Sequence, residues 1–389
     1  MYNVTDETVR QRIEQGCVYG IWLESDSEVI TSDEVFDASS AQSSTSLSDD
    51  IELGAVCAAG WKIRLTRDGS FLGKKFKLYL YIVSSGSSTT WGTLEAYTAG
   101  ELSRLTVEQV GRLGETVGGE KIPMGVFTCV KAPRKGDSRE LHLYDAIYFA
   151  DKPYTPMITL PALASAVEDD ICGQLGIENG DETEVGGFVE ALASQHHRNP
   201  GLLQEFAGGL IYTAPFDFTI EDIPAGATMR DVLGYIAAIH GQFGCIDRSG
   251  RYNRRWYAPQ SLATIDSDHA DEPTISEIEN HIVGIRCKTG NEELMAGSMT
   301  GGRVLELENP FMTDTLVRAL FAKVRKMSWY TSQVSERLGD PRHDIGDTVT
   351  IMPGGEQYDI PITNLEFSFD GGLLANISAA GLTEEEQTI

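Results

Sequence analysis

The sequence is short of positive charge. Lys and Arg together number 31 against 58 Asp and Glu, a balance of 31 − 58 = −27. A field of that sign opposes close contact with phosphate backbones, so sequence-specific nucleic-acid binding is not expected. The acid is dispersed, with short runs such as EEEQ at 384–387, and reads as a solvated or lumen-facing surface rather than a disordered tail. Long apolar runs are missing too. The opening MYNVTDETVRQRIEQG has no apolar core of the kind a secretory signal needs, and no segment offers the roughly eighteen uninterrupted apolar residues of a spanning helix. The chain is therefore expected to be soluble, without membrane insertion, and made in a cytoplasm. Paired cysteine is absent as well. Cys17, Cys57, Cys129, Cys172, Cys245 and Cys287 stand singly, with no CxxC, so neither a zinc knuckle nor a disulfide framework is indicated. Each is expected to pack as a small buried hydrophobe.

The common catalytic signatures are also lacking: there is no HExxH, no GxSxG and no SxxK. GETVGGEK at 114–121 nearly spells a phosphate-binding loop, but Glu120 stands where the lysine belongs and no strand-loop-helix context surrounds it. DSDHADE at 266–272 starts like a calcium loop until Ala270 and Asp271 break the pattern. His196-His197 lies at an expected helix end, where a cation suits the dipole. The strongest candidate is GDPRHDIGDTVTI, 339–351, in which His343 lies among Asp340, Asp344 and Asp347. A metal or acid/base site needs ligands that converge, whereas Asp340-Pro341 favours a turn and Gly346-Asp347 opens a strand whose successive side chains point apart. The stretch reads as a turn feeding a strand, its charges facing water.

At 389 residues, 41% of them apolar, the chain exceeds one ordinary core and suggests about two to four units. CVYGIWL, WKIRL, KFKLYLYIV, MGVFTCV and ELHLYDAIYFA, within 17–150, are rich in β-branched and aromatic residues, and several alternate with a period of two. The Ser-rich run DASSAQSSTSLSDD, 37–50, reads as an exposed loop or hairpin tip, and ELSRLTVEQVGRLG, 101–114, as an inserted helix. From 151 the pattern turns helical, in ALASAVEDDICGQLG, GGFVEALASQ and above all TMRDVLGYIAAIHGQFG, 228–244, where Thr228 can cap and Asp231 can complete a capping box. CIDRSGRYNRRWYAP then reads as a hairpin bending at Arg248-Ser249-Gly250. ENHIVGIRCKTG and RVLELENP are strand-like, MTDTLVRALFAKVRKMS is an amphipathic helix over 312–328, and DTVTIMPGG, YDIPITNLEFSFDGG and LLANISAAG close the chain as three strands. Leu53-Gly54 and Ile122-Pro123 find a faint echo in Ile345-Gly346 and Ile360-Pro361, a sign of two related β-units.

Three of these blocks carry a resemblance. TMRDVLGYIAAIHGQFGCIDRSGRYNRRWY is similar to the middle of the tail hub proteins of long-tailed bacteriophages. GDPRHDIGDTVTIMPGGEQYDIPITNLEFSFDGGLLANISAAG resembles their closing barrel strands, and IPMGVFTCVKAPRKGDSRELHLYDAIYFADKPY the last strands of their first barrel. The blocks follow the family's order and span most of the chain. The resemblance implies a homotrimer at the distal end of the tail tube, like the central baseplate hub of contractile phages, each subunit with two small β-barrels and α+β elements. Two barrels in each of three chains make six, so a threefold ring can stack on a sixfold tube. It implies as partners a distal tail or tube-end ring, the end of the tape-measure protein, and tip, spike or fibre proteins, with genomic DNA passing an acidic channel without specific binding. The implied location is the virion's tail tip or baseplate, after assembly in the host bacterial cytoplasm. Some family members carry peptidoglycan hydrolase or fibre modules after the last strand, where this chain has only TEEEQTI, so wall lysis is not expected of it. The family's short N-terminal hairpin corresponds here to the longer 24–50 region.

The expected fold is thus mainly β with α+β elements: a first β-barrel domain over 1–150 with the Ser-rich loop, an α+β middle domain over 151–275, and a second β-barrel domain over 276–389 with the 312–328 helix inserted. Gly250, Gly346, Asp347, Gly371 and Gly372 are expected to hold structural turns, and no catalytic residue, cofactor or metal is expected. Two other readings stand beside the hub. One is a tail-associated peptidoglycan hydrolase with its site in the middle domain; the other is a carbohydrate-binding adhesin using Trp91 or Trp256.

Overall fold

Alternating burial sets the architecture. Along Lys75–Ile82 every second side chain is buried, from Phe76 to Ile82, and the same period recurs in Gly60–Leu65 and Leu373–Ala379. Such strands bury one face and leave the other to solvent, which suits antiparallel pairing. The computed structural model describes residues 1–41, 43–48, 50–83, 98–102, 121–180, 204–206, 209–211, 217–265, 267–370 and 372–381. The fold is mainly β, with large antiparallel sheets and few helices.

One ladder of 15 strands runs through both β regions. Its path passes from Glu292–Gly297 through Thr274–Thr289, Ser328–Glu336, Leu373–Ala379 and Asn364–Phe369 into Val35–Ala41, and on through Gly60–Leu65, Ser138–Tyr144, Ile122–Lys131, Lys75–Ile82 and Tyr19–Glu24 to Val29–Thr31. Among the described residues the path is open, and no ladder closes a cylinder. In the first region, however, the path enters at Val35–Ala41 and ends at Val29–Thr31, consecutive strands joined by the single turn Ser32–Glu34, so its wall returns to where it began.

The Ser-rich run departs from expectation. Val35–Ala41 pairs with Gly60–Leu65 on one side and with Asn364–Phe369 on the other, and Ser43–Ser44 continues the second pairing. Apolar content is not what orders it. Small hydroxyl side chains fit a crowded seam and satisfy backbone groups there: Ser40 Oγ accepts from the Phe367 amide at 2.7 Å, and the Thr45 hydroxyl meets the Tyr257 hydroxyl at 2.6 Å. The run is the seam between the two β regions.

The expected middle elements form. Thr228 and Asp231 make the reciprocal capping box of helix Met229–Ile239, and helix Ala164–Leu175 ends at left-handed Gly176. Phe243–Ile246 and Tyr252–Arg255 pair as the hairpin. These elements share a core in which Val167, Ile171, Val232, Ile236 and Tyr252 surround Val56, contributed by the first β region. The 312–328 helix is shorter than expected, Asp314–Val324, because strand Ser328–Glu336 begins where its last turn was placed. The closing segment holds four strands rather than three, since Tyr358–Pro361 and Asn364–Phe369 separate at Ile362-Thr363. Helix Glu7–Glu14, capped by Asp6, was not anticipated. Of 101–114 only the end of the short helix Ala99–Leu102 is described, and GGFVEALASQ lies outside the described residues.

Candidate functional site

Past Ser328–Glu336 the chain turns at Asp340-Pro341 and again at Gly346, whose φ of +83° directs it into Thr348–Ile351. This turn was expected to present its charges to water. Instead His343 and Asp347 are 2% and 1% exposed, because the N-terminal segment and the middle hairpin lie over it. Asp347 Oδ1 accepts from the amino group of Met1 at 2.5 Å and from Arg255 Nη2 at 3.3 Å, while Oδ2 accepts from the Asp344 amide at 2.8 Å. Arg248 donates Nε to both Asp344 oxygens at 2.9 and 3.2 Å, Nη2 to the His343 carbonyl at 2.8 Å and Nη1 to the Pro123 carbonyl at 2.9 Å. Its guanidinium lies 5.1 Å from the centre of the Tyr2 ring. Arg342 pairs with Asp340 at 2.7 Å and reaches Glu14 of the first helix at 3.4 Å. His343 Nε2 stands 3.3 Å from Glu336 Oε1.

Burial works against charge on His343, Asp340 and Asp344, and their partners outweigh it. The Glu336 hydrogen bond and the charges of Glu336, Asp340 and Asp347 raise His343 above its ordinary pKa despite burial. Burial would raise Asp344, but Arg248, Arg255 and the terminal amine hold it below the carboxylate range; Asp340 is lowered against burial by Arg342 and His343. A catalytic site keeps a base or nucleophile free for substrate. Here carboxylates meet guanidinium groups, with His343 Nδ1 buried and without a hydrogen-bond partner among the described residues, and the result is a junction tying the N-terminus, the hairpin, the Ile122–Lys131 strand and the last β region together. Among the described residues no group of three or more His, Cys, Asp or Glu side chains could hold a metal ion.

Other candidates are placed as follows. Gly250 has a φ of +90°, and a Cβ there would meet Val126 at 2.9 Å. Gly372 lies outside the left-handed region and a Cβ would meet nothing within 4 Å, so no strain resides there; Gly371 lies outside the described residues. Glu120, Trp91 and His196-His197 also lie outside them. In the 266–272 stretch Ala270 bridges to Glu336 as backbone pairing. Trp256 is half-buried and packs edge-on against Tyr257 at 4.9 Å. All six thiols are pushed up chiefly by burial, Cys245 to about 12 and Cys129 to about 11, the opposite of what a nucleophile needs. Within 151–275, Glu168 is raised by burial to about 7, but it is enclosed beneath the middle core with Arg254 Nε at 3.2 Å. Among the described residues no helix is long and apolar enough to cross a membrane.

Sequence reasoning missed the cations of the junction. A signal was present, since Arg248, Arg251, Arg254 and Arg255 crowd one hairpin of an acid-rich chain. Arg230 was missed as well. It clamps the middle unit to the first β region through Asp151 at 2.5 Å, the Ile147 carbonyl at 3.0 Å and the Val56 carbonyl.

No family model matches the chain, and no curated protein matches it. Solved structures do. The chain is similar to the tail protein from Neisseria meningitidis MC58 with a TM-score of 0.52 at 11% identity, over 93% of this chain and 96% of that one. It is also similar to the 43 kDa tail protein of prophage MuSo2 from Shewanella oneidensis (TM-score 0.48, 13% identity, 93% and 98% covered) and to a prophage tail protein from Listeria monocytogenes EGD-e (0.45, 11%, 95% and 96%). The first likeness shows the fold: nearly end to end, the chain is built as the Neisseria tail protein is.

Proposed function

We propose that the chain is a structural hub of a phage tail: a homotrimer closing the distal end of the tail tube, adapting sixfold to threefold symmetry, and lining the channel through which DNA leaves. The observation that carries this reading is the fold shared with a tail protein over 93% of the chain. In this reading the two β regions act as two barrel-like posts, 1–150 and 276–389, with the 151–275 unit between them. The first region's wall, which starts and ends at consecutive strands, has the shape such a post needs. Three copies then present six posts to a sixfold tube. The ring meets a tube-end or distal tail ring on one side and tip, spike or fibre proteins on the other, with the tape-measure end held inside, and its bore is predominantly negative, since the balance per chain is −27. Within the virion this is a tail-tip or baseplate protein, assembled in the host cytoplasm.

Four buried and two half-buried thiols, all raised chiefly by burial, and acids paired with guanidiniums in the charge junction support a role without catalysis. Light scattering coupled to size exclusion tests the reading. A mass of three chains is expected, and a stable dimer would rule the ring out. Incubation with purified cell walls is expected to release nothing.

A further inference from the structure

Lys62, Lys75 and Lys131 are exposed, and none has an ion-pair partner among the described residues, which holds also for Lys77, Lys152, Lys288 and Lys326 elsewhere on the surface. The ladder brings the first three to one outer face of the first β region. Lys62 pairs across its strands with Ser39 and His142, and His142 pairs with Lys131 in turn. Lys75 stands opposite Thr128 on the adjoining strand. No carboxylate occupies those cross-strand positions. Leu72, 69% exposed, rises beside them, because the Gly73 amide bonds the Cys129 carbonyl at 2.8 Å and so holds this tip against the strand that ends in Lys131. An apolar knob with a cationic rim is the form of a protein contact, in which a desolvated centre lies inside a polar border.

We propose that Leu72 with Lys62, Lys75 and Lys131 is the face by which one copy of the chain holds the acidic surface of the next. The occupant follows from charge. With 58 acidic residues against 31 basic ones, the surface most complementary to this face is another copy, where carboxylates such as Asp271, Glu272 and Glu279 stand exposed. The contact joins two different surfaces, so it is head-to-tail and closes a ring when the rotation allows. The inference rests on the trimeric reading above and names the surface that makes it.

The test compares the wild type with Lys62→Glu/Lys75→Glu/Lys131→Glu and with Leu72→Asp, by light scattering over a dilution series at low and high salt. The wild type should be a trimer whose half-assembly concentration rises with salt. Each variant should keep the wild-type melting temperature and need at least about tenfold more protein to assemble. A triple variant that assembles like the wild type overturns this proposal and leaves the trimer standing. A wild type that stays monomeric at every concentration overturns both. Unchanged assembly with loss of binding to a DNA duplex would make the face a nucleic-acid contact and equally overturn it.

Discussion

At Gly346 two constraints meet in one residue. Its backbone is left-handed, and a Cβ there would stand 2.8 Å from the Phe243 ring. Gly346→Val is expected to cost about 1 to 3 kcal/mol from backbone strain alone, and an unchanged melting temperature would refute that account. His343 makes a different kind of claim. Its folded pKa is raised, so its contribution to stability is complete below the ordinary histidine value of about 6.5 and is lost as pH rises through the folded value. Asp340 and Asp344 are lowered, so theirs is present above the ordinary aspartate value and is lost as pH falls through the folded values. Wild type and His343→Gln compared by denaturant unfolding should therefore differ most below the ordinary histidine value of about 6.5 and converge as pH rises through the folded value. A gap that stays constant across that rise would mean the imidazole acts by shape and not by charge.

Among elements, the helix Met229–Ile239 shows where a local rule reverses. Gly within a helix is ordinarily worse than Ala by about 1 kcal/mol, so Gly234→Ala would be expected to stabilise. Here Gly54 and Gly234 approach back to back, and a Cβ on Gly234 would stand 2.7 Å from the Gly54 carbonyl oxygen. The substitution is expected to lower the melting temperature by forcing the helix off the first β region; a rise would show that the seat has room to give. The same helix shows what could be read in advance. Its capping box, its apolar stripe and the hairpin after it are local patterns, and they fold as the sequence states them. The Ser-rich run was misread because its order comes from a partner 327 residues away, the Phe367 amide on Ser40, which no local pattern announces. His343 failed for the same reason: the turn was legible, but its burial depends on Met1, Arg248 and Arg255, brought there by the tertiary fold.

For the whole molecule, composition constrained more than pattern did. The mainly-β class was legible in strand periodicity, whereas the continuous ladder joining both ends of the chain was not, since strand pairing at long range leaves no mark on the strands themselves. The charge balance bears on passage of DNA. A protein that neutralises several phosphates gains affinity that falls steeply with salt, and a channel built that way would retain its cargo. Here Arg248 and Arg255 are turned inward onto Asp344 and Asp347, Arg254 onto Glu168, and Arg251 onto Asp247 of its own hairpin, so the most cation-dense segment of the chain is largely spent on folding. Fluorescence anisotropy of a labelled duplex titrated with the assembled protein should therefore stay flat at physiological salt. Tight binding weakening as roughly the sixth power of salt or steeper would signal about six or more phosphate contacts, more cations than an acid-lined path provides.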